Sequence, residues 1–152
     1  MPPHARTIFL IATEESGDRL GASLMRELRV RLGEGIRFEG VGGRAMAEAG
    51  LVSRFPIEEL SIVGLAAVAK QLRSILRRIR ETADAVIAAK PDALIIIDSP
   101  DFTHRVAKRV RARAPRVPII DYVSPQVWAW RPGRARTMRG YIDHVLAILP
   151  FE

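Results

Sequence analysis

Five consecutive apolar residues, Ala93-Leu94-Ile95-Ile96-Ile97, run without interruption and stop at Asp98. A strand wetted on one face alternates apolar and polar residues, so an unbroken run predicts a strand covered on both faces inside a parallel sheet. Parallel neighbours need long crossovers, usually helical, and the rest of the chain has to supply them. It reads that way. Residues 7–12 form a short β-branched apolar run, followed by Glu14-Glu15-Ser16-Gly17-Asp18 and by Leu20, Leu24, Met25 and Leu28 at helical spacing. Ser16 and Asp18 stand where an N-cap and a first-turn acid are expected. Residues 36–41 repeat the unit, ending in Gly42-Gly43 and a short helix through Met46. Residues 61–89 carry Leu65, Val68, Leu72, Ile75, Leu76 and Ile79 on one helical face, in one long helix or two consecutive ones. A loop over 98–102, a basic helix over 103–114, a strand over 117–123, an aromatic loop, an arginine-rich helix over 134–141 and a strand over 143–149 complete the series. Five or six strands alternating with helices specify an α/β protein. The expected fold is a Rossmann-like, doubly wound, mostly parallel sheet in one domain spanning residues 1–152.

The chain has 152 residues, enough for one core that needs no staple. It has no cysteine, which removes disulfides, thiolate metal sites and cysteine nucleophiles. His4, His104 and His144 lack ligand spacing, so no metal is expected and each is read as surface or structural. The apolar run after Arg6 is too short for a signal peptide, and the longest, 62–69, is too short to span a bilayer. A soluble or peripheral protein is expected. The net charge of +7 is uneven, with residues 61–152 alone carrying 16 basic and 8 acidic residues. That balance calls for an anionic partner: phosphate, nucleic acid or lipid headgroups.

In a parallel sheet the loops after successive strands open on one edge, where ligands bind. The loops at 14–18, 42–43, 98–101 and 124–131 are therefore expected to gather around one crevice. Its expected binding residues are Glu14, Ser16, Gly17, Asp18, Gly42, Gly43, Asp101, Ser124, Trp128, Trp130 and Arg131. Both tryptophans of the chain fall in the last loop, where Pro125 forbids a continuing central strand. Asp98 is the general-base candidate, because a carboxylate ending a buried apolar strand is partly desolvated, which raises its proton affinity. Asp101 is also expected to cap the following helix.

Other classes fit less well. Gly40-Val41-Gly42-Gly43 lacks the third glycine of a dinucleotide fingerprint, and the acids after the first strand would repel cofactor phosphates. No nucleic-acid signature accompanies the arginines, which disfavours nucleic acid. An anionic membrane surface suits the 65–80 helix better, with Val68, Leu72, Arg73, Ile75, Leu76 and Arg77 as its membrane-facing candidates.

Six pieces in order carry a resemblance: Glu14-Glu15-Ser16-Gly17-Asp18; Gly40-Val41-Gly42-Gly43 with Met46; Glu58-Glu59-Leu60 with Val63-Gly64; Ile97-Asp98 with Pro100-Asp101-Phe102; Tyr122 through Arg131; and Leu149-Pro150-Phe151-Glu152. Together they resemble the N-terminal half of the lipid-A-disaccharide synthase family, inverting glycosyltransferases of the two-domain GT-B fold. The resemblance implies transfer of diacylglucosamine from UDP-2,3-diacylglucosamine to 2,3-diacylglucosamine 1-phosphate, with no metal or other cofactor. Asp98 would activate the acceptor 6-hydroxyl, the 14–18 loop would line the cleft, and the tryptophan loop would shape the acceptor side. The protein would lie at the inner face of the cytoplasmic membrane.

Two features depart from the family pattern. Thr13 stands where the family has glycine, and a β-branched residue resists positive φ, so a shifted first loop is expected. The nucleotide-sugar domain of a GT-B enzyme is expected beyond Glu152, which leaves this chain as the acceptor-side half, inactive alone and prone to self-association through the uncovered crevice. The alternative is a non-catalytic lipid or membrane-surface module.

Overall fold

A computed structural model describes residues 4–60, 68–123 and 133–147. Its elements are β1 (Thr7–Ala12), α1 (Glu15–Leu32), β2 (Arg37–Val41), α2 (Arg44–Glu48), a 3₁₀ turn (Ile57–Leu60), α3 (Val68–Ala89), β3 (Ala93–Ile97), α4 (Pro100–Arg113), β4 (Ile119–Tyr122), α5 (Gly133–Met138) and β5 (His144–Leu146). Five strands form one sheet in the order β2-β1-β3-β4-β5, and every pair is parallel. The chain winds outward from β1 to β2, then crosses back to β3 and winds the other way. The switch point lies between the carboxyl ends of β1 and β3, the position at which such sheets bind ligands.

The apolar runs explain the layering. All six residues of β1 and four of the five in β3 are buried. Phe9 and Ile11 pack with Ile79, Ala83 and Val86 of α3 and Val106 and Val110 of α4. Ile8, Leu10 and Ala12 pack on the opposite face with Ala22 and Met25 of α1 and Met46 of α2. A Leu or Ile fully buried in this way contributes about 1.5–3 kcal/mol. Gly40 lets β2 approach β1, because a Cβ there would stand 1.8 Å from the Leu10 carbonyl oxygen, at a φ of +143°. Among the described residues no helix is long and apolar enough to cross a membrane.

Several boundaries differ from the sequence reading. α4 begins at Pro100, not at residue 103, because proline suits the first helical turn. Asp98 and Ser99, with φ of 53° and 47°, turn the chain off β3 in two left-handed steps. The strand expected over 117–123 is confined to Ile119–Tyr122: Pro118 has no N–H to donate, and Val123 has a φ of 73°. The last strand is His144–Leu146, and Asp143 serves as a clip instead of a strand residue. Its carboxylate accepts the Ile119 N–H at 2.8 Å, its own N–H donates to the Ile119 carbonyl at 2.9 Å, and Arg111 pairs with the same carboxylate.

Partial burial alone would push the Asp143 carboxyl up, but the Ile119 N–H and the Arg111 guanidinium overcome it and hold it below its ordinary value of 3.8. A carboxyl depressed by folding adds stability that is present above the unfolded value and lost as pH falls through the folded one. Asp143→Asn is therefore expected to flatten the acid limb of the melting temperature between about pH 5 and about pH 2, by a small amount because the pair is partly solvated. Melting curves that fall in parallel for both proteins would reject this role.

Candidate active site

Glu14 opens α1 as its N-cap without a side-chain bond of its own, so Ser16 and Asp18 lie inside the first turns and neither is the cap. Asp18 is only 4% exposed. Its Oδ1 accepts the N–H groups of Gly43 at 2.8 Å and Met46 at 3.0 Å, and its Oδ2 accepts that of Ala45 at 2.9 Å. These donors open α2, so one carboxylate on α1 fixes the loop after β2 to the loop after β1. Gly43 is required there, since a Cβ would stand 2.7 Å from Asp18 Oδ2. Gly42 lies against Met46, and Gly17 brings α1 against the end of β3, where a Cβ would meet the Ile97 carbonyl oxygen at 3.3 Å. Gly17, Asp18, Gly42 and Gly43 thus build the loops from beneath, and Glu14 and Ser16 are left exposed at the crevice.

Asp98 ends β3 and is half-buried. Its Oδ1 accepts the Ser99 N–H at 2.9 Å, and its carbonyl accepts the hydroxyl of the fully buried Thr103 at 2.8 Å. Among the described residues its Oδ2 has only a long contact, 3.5 Å, from the Ser16 hydroxyl across the switch point. One carboxylate oxygen is therefore fixed and the other is available to accept a proton. Two consecutive non-glycine residues in the left-handed region cost of order 1–3 kcal/mol each, and such strain collects at functional sites. Thr13 is not among the described non-glycine residues with positive φ, so the loop after β1 is built without the glycine conformation its sequence position suggested.

A cavity of about 480 Å³ opens next to the 98–99 turn, lined by Thr13, Glu14, Ser99 and Asp101 on its polar side and by Leu60, Ile75 and Phe102 on its apolar side; Asp98 adjoins it in the chain through Ser99 and does not itself line it. Asp101 sits in the first turn of α4, which Ser99 opens, so Asp101 is not the cap. Ile75 packs toward the core, whereas Leu72 and Leu76 are 53% and 37% exposed and Arg73 is exposed. Arg77 is exposed and pairs with Glu81 at 3.7 Å. The side chain of Val68, and Ser124, Trp128, Trp130 and Arg131 altogether, lie outside the described residues.

Sequence reasoning missed a buried cluster beside the crevice. His104 of α4 lies with its Nε2 3.1 Å from Asp121 Oδ2 in β4 and its Nδ1 2.8 Å from the Tyr141 hydroxyl, and all three residues are buried. A neutral imidazole that donates Nε2–H to the carboxylate and accepts the phenol proton satisfies all three groups. Asp121 held the signal: a carboxylate within the apolar run Ile119-Ile120-Asp121-Tyr122 has to find a buried partner.

A five-stranded, all-parallel sheet wound in both directions from a β1–β3 switch point, with helices on both faces, defines a Rossmann-like α/β domain, the N-terminal domain type of the GT-B fold. The S. aureus MnaA–UDP co-structure shares this fold, with a TM-score of 0.55 at 12% identity over 93% of this chain and 37% of that one. The family model for lipid-A-disaccharide synthetase matches residues 8–152, and the chain belongs to that family. It is 78% identical over 148 residues to the lipid-A-disaccharide synthase of Nitrobacter hamburgensis and 76% identical over 147 residues to that of Bradyrhizobium diazoefficiens. Each alignment covers 97% of this chain but only 37% and 38% of those relatives, so the chain spans a little over a third of their length.

Proposed function

We propose that this chain is the acceptor-side domain of an enzyme that joins two acylated glucosamines in lipid A biosynthesis. The donor is UDP-2,3-diacylglucosamine and the acceptor is 2,3-diacylglucosamine 1-phosphate. The acceptor 6-hydroxyl attacks the anomeric carbon of the donor and gives its proton to Asp98, while the bond from that carbon to UDP breaks and UDP leaves with the electron pair. The observation that carries the reading is Asp98 Oδ2 at the β1–β3 switch point, held among the described residues only by a long contact from Ser16, in the turn next to a cavity with one polar and one apolar side. Leu60, Ile75 and Phe102 suit an acyl chain; Glu14, Thr13 and Ser16 suit sugar hydroxyls. The donor nucleotide is assigned to a second domain, contributed by the part of the relatives' length that this chain does not span. Exposed Leu72 and Leu76 beside Arg73 and Arg77 favour contact with an anionic membrane, at the cytoplasmic face where acylated substrates lie.

A calorimetric titration in mild detergent tests this, with the acceptor and UDP added separately and cosedimentation with anionic vesicles run alongside. Acceptor binding without UDP binding is the expected result. UDP binding without acceptor binding would overturn the assignment of the crevice. Salt-sensitive vesicle binding with no acceptor binding would favour a membrane-surface module instead.

A further inference from the structure

A second cavity, of about 320 Å³, shares Pro100 and Asp101 with the first and continues along α4 to His104, Arg105, Lys108, Thr137 and Tyr141. Residues 101, 104, 105 and 108 have the i, i+3, i+4 and i+7 spacing of one helical face. Arg105 and Lys108 are exposed, and among the described residues neither forms an ion pair, whereas Arg77, Arg78, Arg111 and Arg113 each do. Lys108 Nζ lies 5.2 Å from the centre of the Tyr141 ring, which is itself held edge-on to His104 by the buried His104–Asp121–Tyr141 hydrogen bonds. The wall behind the two cations is therefore fixed, while among the described residues the cations themselves have no ion-pair partner. Arg105 and Lys108 against Asp101 leave the lining with a net positive charge.

We propose that this cavity is the subsite for a phosphate monoester on the acceptor, with Arg105 and Lys108 as its specificity-determining cations. The inference rests on the acceptor reading above and adds where the acceptor's anomeric phosphate goes. Arg105 and Lys108 lie roughly 7 and 12 Å beyond Pro100 along the helix axis. Long side chains on a helix lean back toward its N-terminal end, so both cations reach toward the end of α4 at which Asp98 lies. A guanidinium and an ammonium side by side provide forked and single N–H donation to a phosphate dianion. Asp101, nearer the carboxylate end, repels a phosphate placed there and so favours one orientation of the sugar.

The test is titration of this chain in mild detergent with diacylglucosamine 1-phosphate and with the same sugar lacking its phosphate. The wild-type chain is expected to prefer the phosphorylated ligand by about tenfold or more, and R105Q/K108Q to lose that preference while binding the dephosphorylated sugar as before. R109Q/R116Q removes the same charge from two exposed positions, one on α4 and one just after it, that do not line the cavity, and is expected to leave the preference intact. Each single variant, Arg105→Gln and Lys108→Gln, is expected to fall between. Equal affinity of the wild type and R105Q/K108Q for the phosphorylated sugar would overturn the subsite and leave the acceptor reading standing. An equal loss in R109Q/R116Q would also overturn it, by assigning the effect to the general field of the basic surface. Failure of the wild type to bind either sugar would remove the acceptor reading, and the subsite with it.

Discussion

Asp98→Asn is expected to lower glycosyl transfer by about 10²–10⁴-fold, the contribution of a positioned general base. The assay is run with this chain in place of the matching third of the Nitrobacter hamburgensis relative, to which it is 78% identical over 148 residues. Asparagine keeps an oxygen to accept the Ser99 N–H, so the strained turn over residues 98 and 99 has no reason to collapse. What it loses is the carboxylate Oδ2, the atom with only a 3.5 Å contact from Ser16 among the described residues. The loss should appear in kcat, with acceptor affinity and melting temperature nearly unchanged, because the carboxylate is needed only when the hydroxyl proton moves. Wild-type turnover in the variant would remove Asp98 as the base. A parallel loss of acceptor affinity would recast it as a binding residue.

The largest effect on stability is expected at Asp18, where Asp18→Ala should cost about 3 kcal/mol or more, since it strands three backbone donors. The N–H groups of Gly43, Ala45 and Met46 all end on this carboxylate, and its 4% exposure leaves little room for water to replace it. For a domain of this size such a loss lowers the melting temperature by roughly 6–12 °C. Asp18→Asn should cost less, because one amide oxygen can still accept from Gly43 and Met46 while the amide N–H₂ faces the Ala45 N–H. Urea melts that place the alanine variant within about 1 kcal/mol of wild type would show that the loop after β2 finds other partners.

Asp18 and Asp98 mark where reading the sequence stops. Both are carboxylates in loops that follow apolar strands, and the sequence presents both as crevice residues. Asp18 turns inward to hold α2, whereas Asp98 keeps one oxygen with only a long contact among the described residues. The difference rests on donors that lie 25 to 28 residues from Asp18 in the chain, which no local pattern displays. The start of α4 escapes the sequence for a related reason. The left-handed pair at Asp98 and Ser99 turns the chain early enough for Pro100 to begin α4, and a conformation uncommon for non-glycine residues has no signature in side-chain type.

By itself the sequence determined the alternation of strands and helices, the parallel sheet buried on both faces, the acidic and glycine loops that meet at its carboxyl edge, and membership of the family. The structural properties follow from short-range spacing, as an unbroken Leu94 to Ile97 run calls for burial on both faces, whereas family membership rests on the resemblance of six ordered motifs. Tertiary structure alone decided which polar groups are spent on the fold and which remain for a ligand. It sealed Asp121 with His104 and Tyr141, tied Asp18 to α2, left Asp98 Oδ2 with only a long contact from Ser16, and among the described residues gave Arg105 and Lys108, which line a cavity, no ion-pair partner. The physical reason is that hydrophobic burial is set by residue type and period, whereas a buried polar group is satisfied only by a partner that folding brings to it from a distant part of the chain.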